Sequence, residues 1–246
     1  MLNVVCVNCG EKYSDDYVNR LYSMAKRHIP SQFTFTCFTD RSRNVEPGIL
    51  QMDTAGWGLE GWYNKLKLFD SNAMPYQSML YLDLSLVIKQ SLEPLLDYVQ
   101  DKPFVGLRDW SYDVINSCVM WITRNPMTQQ VWEDYASGQP FMAGKHGDQE
   151  CIYASLVHQG VAESIHYFPP EWIASYKQLH KIYVFRSREE ARSKVNEALI
   201  IKFHGHPRQH EMLTLPLRFR WIALHQPRYL LRDWNFLASE VKEWWR

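Results

Sequence analysis

The chain carries no excess of charge: 27 Lys and Arg stand against 27 Asp and Glu in 246 residues. A protein that coats nucleic acid needs a basic footprint, so this balance argues against that class and leaves room only for a local anion site. Cysteine is scarce. The five residues, Cys6, Cys9, Cys37, Cys118 and Cys151, are odd in number and irregular in spacing, which argues against a disulfide scaffold. No run approaches the roughly 20 apolar residues of a membrane span. The most apolar stretch, 79–88, is broken by Asp83. The first residues lack the basic region and apolar core of a secretory leader, so a cytoplasmic protein with reduced thiols is expected. Internal repeats, low-complexity tracts and Gly/Pro/Ser-rich linkers are also missing, so one domain over residues 1–216 is expected, with 217–246 as a helical appendage packed on it.

What is present is apolar and aromatic. Hydrophobic residues make up 46% and aromatic residues 14%, with 10 Trp. A chain of this length can bury a large core without staples. Tryptophans fill cores, and they also line sugar and base clefts.

The pattern alternates strands and helices. Residues 2–7 form a short apolar run and read as a buried strand. Ser14 stands as cap before a helix over Asp15–His28, with Asp15 and Asp16 well placed against its dipole. Phe33–Thr39 alternates as a strand does. Gly56, Gly58 and Gly61 precede a short helix with Trp62, Leu66 and Phe69 on one face. Ser78–Leu82 is a buried strand that stops at Asp83. Strands are also expected at 103–107 and 114–123, and helices after Asn125-Pro126 and over Asp148–His158. Ser187 and Glu190 have capping-box spacing before a helix to about residue 198. A last strand, 199–203, ends on His204. This order implies an α/β fold with a mostly parallel sheet.

Two strands therefore deliver potential ligands, Asp83 and His204, to their carboxyl ends, where open α/β sheets bind ligands. A carboxylate and an imidazole there suit a divalent cation that bridges phosphates; each also has an ordinary structural use, as a turn cap or a packed histidine. Cys6 and Cys9 have CxxC spacing, but Cys6 lies inside a strand and no second pair exists, so they read as structural. His204, His206 and His210 cluster in sequence, yet only the first two share a strand face. Residues 217–246 hold six basic and three acidic residues among Trp221, Trp234, Trp244 and Trp245. That composition suits peripheral contact with an anionic membrane, and equally a helix packed on the domain.

Five blocks in order carry a family resemblance. Tyr81-Leu82-Asp83-Leu84-Ser85-Leu86-Val87-Ile88 resembles the YLDxDxxI motif of GT-A glycosyltransferases. Phe203-His204-Gly205-His206-Pro207-Arg208 is similar to the HGxxKPW motif of the glycogenin-like and bacterial lipopolysaccharide galactosyltransferase-like retaining group. Trp62 to Leu66, Asn116-Ser117-Cys118-Val119-Met120 and Gly147-Asp148-Gln149 resemble its W-K-L, NSGVM and GDQ blocks. The resemblance spans residues 2–210. It implies a GT-A fold and transfer of a hexose from a nucleotide diphosphate sugar, expected to be uridine-linked. The acceptor would be a hydroxyl of a glycan or lipid-linked precursor, and anomeric configuration would be retained. It further implies Mn²⁺ or Mg²⁺ held by Asp83, Ser85 and His204. Asn8, Tyr13, Asp40, Lys65, Asp83, Asn116 and Gly205 would bind the donor, with Asn8 and Tyr13 at the base and Asp40 near its edge. Asp148, Gln149 and Arg208 would act at the sugar and the leaving diphosphate. Ser175-Tyr176-Lys177 resembles a block of bacterial members and could line the acceptor side.

Two departures stand out. Ser85 replaces the second acidic metal ligand, and a neutral hydroxyl is a poorer ligand for a hard cation. Either the ion is held more weakly, or Arg208 and Lys202 carry more of the charge. Gln209-His210 replaces the motif's Pro-Trp. An inactive nucleotide-sugar or glycan-binding relative is the alternative reading.

Overall fold

The computed structural model describes residues 1–213 and 236–246. In chain order its strands are β1 (Leu2–Asn8), β2 (Phe33–Thr39), β3 (Ile49–Asp53), β4 (Ser78–Leu82), β5 (Leu86–Ile88), β6 (Phe104–Arg108), β7 (Ile115–Thr123), β8 (His166–Tyr167), β9 (Ile173–Ser175) and β10 (Ile200–Lys202). Among the described residues, seven of them form one sheet in the order β3-β2-β1-β4-β7-β6-β8. Its pairings are parallel except β4–β7 and β6–β7, so the mostly parallel α/β sheet expected from the sequence is present.

Among the described residues, the first seven α-helices are α1 (Asp15–His28), α2 (Glu93–Val99), α3 (Pro126–Ala136), α4 (Asp148–His158), α5 (Tyr176–Phe185), α6 (Arg188–Glu197) and α7 (Gln209–Leu213). Both faces of the sheet are covered. On β1, Val4 and Cys6 pack with Leu21 and Met24 of α1 (Asp15–His28). Val5 faces the other way, among Tyr81, Met120 and residues of α3 (Pro126–Ala136) and α4 (Asp148–His158). Central parallel strands buried on two faces read as continuous apolar runs, which is why β1 and β4 are legible.

The last strand departs from expectation. It is only three residues long and joins a second, three-stranded sheet, antiparallel to β5 and parallel to β9. The chain thus leaves the large sheet at Leu82, turns through 83–85, and enters the small sheet at Leu86. Asp83 N–H still donates to Cys118 O (2.9 Å) on β7, and Phe203 N–H donates to Ser85 O (2.9 Å). The turn is pinned from both sheets.

Several local expectations need correction. Ser14 occupies the cap position of α1, but its hydroxyl makes no cap bond. Ser187 does cap α6 (Arg188–Glu197), accepting from Glu190 N–H (3.1 Å). Gly61–Phe69 is a 3₁₀ rather than an α-helix. Its repeat is three residues, so Leu66 and Phe69 are buried while Trp62, four before Leu66, is 55% exposed. β3 and β5 carry no sequence signal of their own. β3 leaves Leu50 and Gln51 exposed and takes its register from β2.

Part of the expected appendage, residues 214–235 with Trp221 and Trp234, lies outside the described residues. The helix Ala238–Trp244 ends in Trp245, which is buried against Tyr17 of α1 with ring centroids 4.9 Å apart. The Arg20 guanidinium lies 4.4 Å from the indole and donates to Trp245 O (2.6 Å); Arg27 donates to Trp244 O (2.7 Å). Trp245 is therefore core, not membrane surface. Among the described residues, no helix is long and apolar enough to cross a membrane. Trp245→Ala is expected to cost about 3–5 kcal/mol, as other large-to-small core substitutions do. Thermal or urea melting checks this, and a loss under about 1 kcal/mol would show that α1 does not depend on the C-terminal clasp.

Candidate active site

A cavity of about 1330 Å³ opens at the carboxyl ends of β1, β4 and β10, where an α/β sheet exposes its strand-end side chains. It brings together Asn8, Tyr13, Lys65, Asp83, Ser85, Asn116, Asp148, Gln149, His204, Gly205 and Arg208. Among the residues expected at a donor site, only Asp40 does not line it. Its carboxylate instead accepts from Gly10 N–H (2.8 Å) and pairs with buried Arg43 (3.3 Å), which holds the loop after β1.

The floor is a charge cluster. Asp83 Oδ2 lies 3.2 Å from Lys65 Nζ, and Asp83 Oδ1 lies 3.2 Å from Lys202 Nζ. Lys65 also reaches Asp148 Oδ2 (3.3 Å) and Ser117 Oγ (3.2 Å). Ser117 donates to Asp148 through a short bond, Ser85 Oγ donates to Asp83 Oδ1, and Lys202 donates to Ser85 Oγ. Burial opposes ionisation of Asp83, but Lys202 and then Lys65 outweigh it and hold its carboxyl far below the usual range. Burial likewise opposes the charge on Lys65, and Asp148 and Asp83 reverse that, raising its affinity for its proton.

Around this floor, both polar atoms of the Asn8 amide are buried without a hydrogen-bond partner among the described residues. Asn116 Nδ2 donates to Asp109 (2.7 Å), and Asp148 and Gln149 begin α4. Arg208 donates through Nη1 to Lys12 O (3.1 Å), and its guanidinium stands 5.8 Å from the Tyr13 ring. Gly205 has φ +75°, a left-handed conformation that favours glycine, and a Cβ there would meet nothing. The demand at this position is therefore conformational rather than one of space.

His204 Nε2 shares a hydrogen bond with Ser175 Oγ (2.6 Å), and its ring lies 5.7 Å from that of Trp110. Burial, followed by Lys202 and Lys177, lowers its pKa to about 4, with Asp109 acting in the opposite sense. His206 pairs with Glu211 (2.7 Å) rather than with His204. Tyr176 is buried on Phe203 and Lys177 is exposed, so the 175–177 block contributes Ser175 to the site and not Tyr176. The five cysteines are free, and burial raises the Cys6 and Cys9 thiols.

The residues do not fit the divalent ion that the resemblance implies at Asp83, Ser85 and His204. Asp83 is the only anion of the three, and each of its oxygens already faces an ammonium group. Ser85 Oγ is spent on Asp83 and Lys202, and His204 Nε2 on Ser175. Hard cations take several oxygen ligands, with carboxylates prominent among them. Among the described residues, no three His, Cys, Asp or Glu side chains are grouped to hold a metal.

Sequence reasoning did not single out Lys12 or Ser117. Lys12 sits on an irregular loop and carries no motif. Ser117 was visible only as part of a block.

No family model and no curated protein sequence matches the chain. Solved structures do. An active-site glutamine-to-glutamate variant of LgtC superposes with TM-score 0.58 at 15% identity, covering 85% of this chain and 89% of that one. The galactosyltransferase LgtC in complex with donor and acceptor sugar analogues gives 0.55 at 16% identity, covering 91% and 95%. The glycosyltransferase GlyE of Streptococcus pneumoniae gives 0.58 at 12% identity, covering 98% and 63%. The fold is that of GT-A-like glycosyltransferases. At these identities the fold is what is shared.

Two outcomes follow from the charge cluster. Lys65→Met should destabilise by about 3–5 kcal/mol, because it leaves Asp83 and Asp148 facing each other with one countercharge removed. A denaturant melt reads this. His204, with a native pKa lowered to about 4, takes up its proton more readily in the unfolded chain, whose pKa is near 6.5. Its contribution is therefore fully present above about pH 6.5 and is lost as pH falls toward 4. Wild-type Tm should drop more steeply across that window than the Tm of His204→Gln. Parallel curves would reject the lowered pKa.

Proposed function

We propose that the chain transfers a hexose from a nucleoside diphosphate sugar, with uridine as the base, to a hydroxyl of a glycan or lipid-linked acceptor. The observation that carries this reading is the Asn8 amide, buried with both polar atoms unpaired among the described residues, on the wall of a cavity whose floor carries Lys65 and Lys202. An orphaned buried amide costs about 1–3 kcal/mol unless a ligand pairs with it. Asn8 Oδ1 and Nδ2 match the imide edge of uracil, which offers an N–H flanked by carbonyl oxygens. Five cations, Lys12, Lys65, Lys145, Lys202 and Arg208, line the same cavity, and such groups suit a diphosphate.

The chemistry then needs few parts. The bond from the anomeric carbon to the β-phosphate oxygen breaks, its electron pair leaving with the diphosphate. A bond from the acceptor oxygen to that carbon forms, and the hydroxyl proton is released. Preorganised cations stabilise the departing charge, and the remaining task is positioning. Asp148, Gln149 and Asn116 would hold the hexose hydroxyls and the anomeric centre. Gln149 is our candidate for the role of the active-site glutamine changed in the LgtC variant. Tyr13 would stack on the base. Retention of configuration rests on the resemblance alone, and contact of residues 217–246 with a membrane that presents the acceptor rests on their basic and aromatic composition.

The test is a panel of nucleotide sugars scored by diphosphate release and by thermal shift. UDP-hexoses should raise Tm and release UDP. Asn8→Leu should weaken UDP at least about tenfold, since a site built to pair polar edges rejects a ligand strongly once a partner is lost. Binding without release would support the inactive relative. Equal affinity of wild type and Asn8→Leu for UDP would remove the base assignment.

A further inference from the structure

The turn 83–85 carries a feature that a two-carboxylate metal site would not have. Lys202 is held there by the fold. β10 pairs antiparallel with β5, which sets Lys202 opposite Leu86, and Phe203 N–H closes on Ser85 O (2.9 Å). The side chain is 11% exposed, so this is a built-in position and not a passing surface lysine.

The two lysines of the cluster differ in what they have left to offer. An ammonium group carries three N–H donors. Lys65 has three polar partners, an ion pair each with Asp83 and Asp148 and a hydrogen bond to Ser117. Lys202 has two partners among the described residues, Asp83 Oδ1 and Ser85 Oγ. Among the described residues its ammonium therefore has one partner fewer than that of Lys65, and Lys202 lines the cavity. Ser85 matters here because it is neutral. A carboxylate at 85 would add a second anion beside Lys202 and consume its charge. A hydroxyl orients the ammonium and leaves the charge available.

We propose that Lys202 stands in for the divalent cation, and that its ammonium binds the β-phosphate of a nucleoside diphosphate sugar so that transfer runs without metal. The proposal rests on the nucleotide-sugar reading of this cavity. When the bond to the anomeric carbon breaks, the electron pair goes to the β-phosphate oxygen, and Lys202 donates a hydrogen bond to the diphosphate while keeping its proton. The acceptor hydroxyl supplies the only proton released. Lys65 is a positioning residue that fixes Asp83 and Asp148, and Arg208 adds a second cation at the mouth.

The test uses the full chain, with UDP and UMP as probes, and calorimetry and diphosphate release as readouts, each with EDTA and with Mn²⁺. Wild type should bind UDP and turn over UDP-hexose in EDTA, within about threefold of the values in Mn²⁺. Lys202→Ala should weaken UDP about tenfold or more, the scale of one charged hydrogen bond, while UMP, which lacks the β-phosphate, changes less than about twofold. Turnover should fall about a hundredfold, as for loss of one preorganised donor. Lys202→Arg guards against misfolding and should retain most of the UDP affinity. Ser85→Asp combined with Lys202→Ala should restore UDP affinity only when Mn²⁺ is present. UDP binding or turnover by wild type that appears only with Mn²⁺ would overturn the proposal and leave the nucleotide-sugar reading standing. UDP that binds under neither condition would overturn that reading, and the proposal with it. Equal losses of UDP and UMP in Lys202→Ala would also overturn it.

Discussion

The ion pairs at Asp83 hold the site together. Its two oxygens are shared between Lys65 and Lys202 at 3.2 Å each, and Lys65 passes the link to Asp148 at 3.3 Å. One carboxylate thereby ties four segments: the 3₁₀ turn after Gly61, the end of β4, the start of α4 and the end of β10. Charges this deeply buried are costly to strip of water, and they persist only when each is paired and hydrogen-bonded. The short bonds from Ser117 and Ser85 complete that pairing. The same arrangement explains why the site keeps its charge: Asp83 and Lys65 are held ionised by their neighbours, so the cluster is preorganised before a ligand arrives.

The two sheets explain where the cluster stands. A single doubly wound sheet would have ended β4 in open solvent. Here the chain turns at Asp83 and is caught by β10, so the strand-end carboxylate becomes part of a wall. The second sheet also brings Ser175 against His204, so that imidazole nitrogen is hydrogen-bonded rather than free to coordinate. What looks in sequence like a metal triad is, in space, one carboxylate between two ammonium groups, a hydroxyl that orients one of them, and a histidine held by a serine.

The C-terminal clasp acts at a distance from this chemistry and on the same body. Tyr17 packs on Trp245 on one side and reaches His210 Nδ1 (2.5 Å) on the other. His210 belongs to α7 (Gln209–Leu213), which follows Arg208 directly. Gln209, which stands where the resembling motif has proline, donates to Leu84 O (3.2 Å) and Leu86 O (3.3 Å). A proline has no such donor. The departure from the motif is thus a tie to the Asp83 turn, and through Tyr17 the turn is mechanically continuous with the end of the chain.

Much of this was legible in the sequence, for local reasons. Buried parallel strands are continuous apolar runs, so β1 and β4 could be read within a residue, β2 was read from its alternation, and Asp83 stood out because it ends an apolar run. Cap chemistry acts over three residues, so Asn125 and Ser187 marked helix starts. Eleven of the expected site residues line one cavity because each is a strand end, a helix start or part of a short block that carries its own signature. The edge strand β3 and the short β5 were not legible, because their register comes from partners. Asp40 stands outside the cavity and braces the loop after β1, and nothing local distinguishes such a carboxylate from one that faces a ligand. The fate of the metal position lay furthest from reach. Ser85 announced that a ligand was missing and Lys202 was a candidate to carry the charge, but the contact of its ammonium with Ser85, 117 residues away, was not legible. That meeting is decided by the pairing of β10 with β5, a long-range contact that no periodicity within either segment encodes.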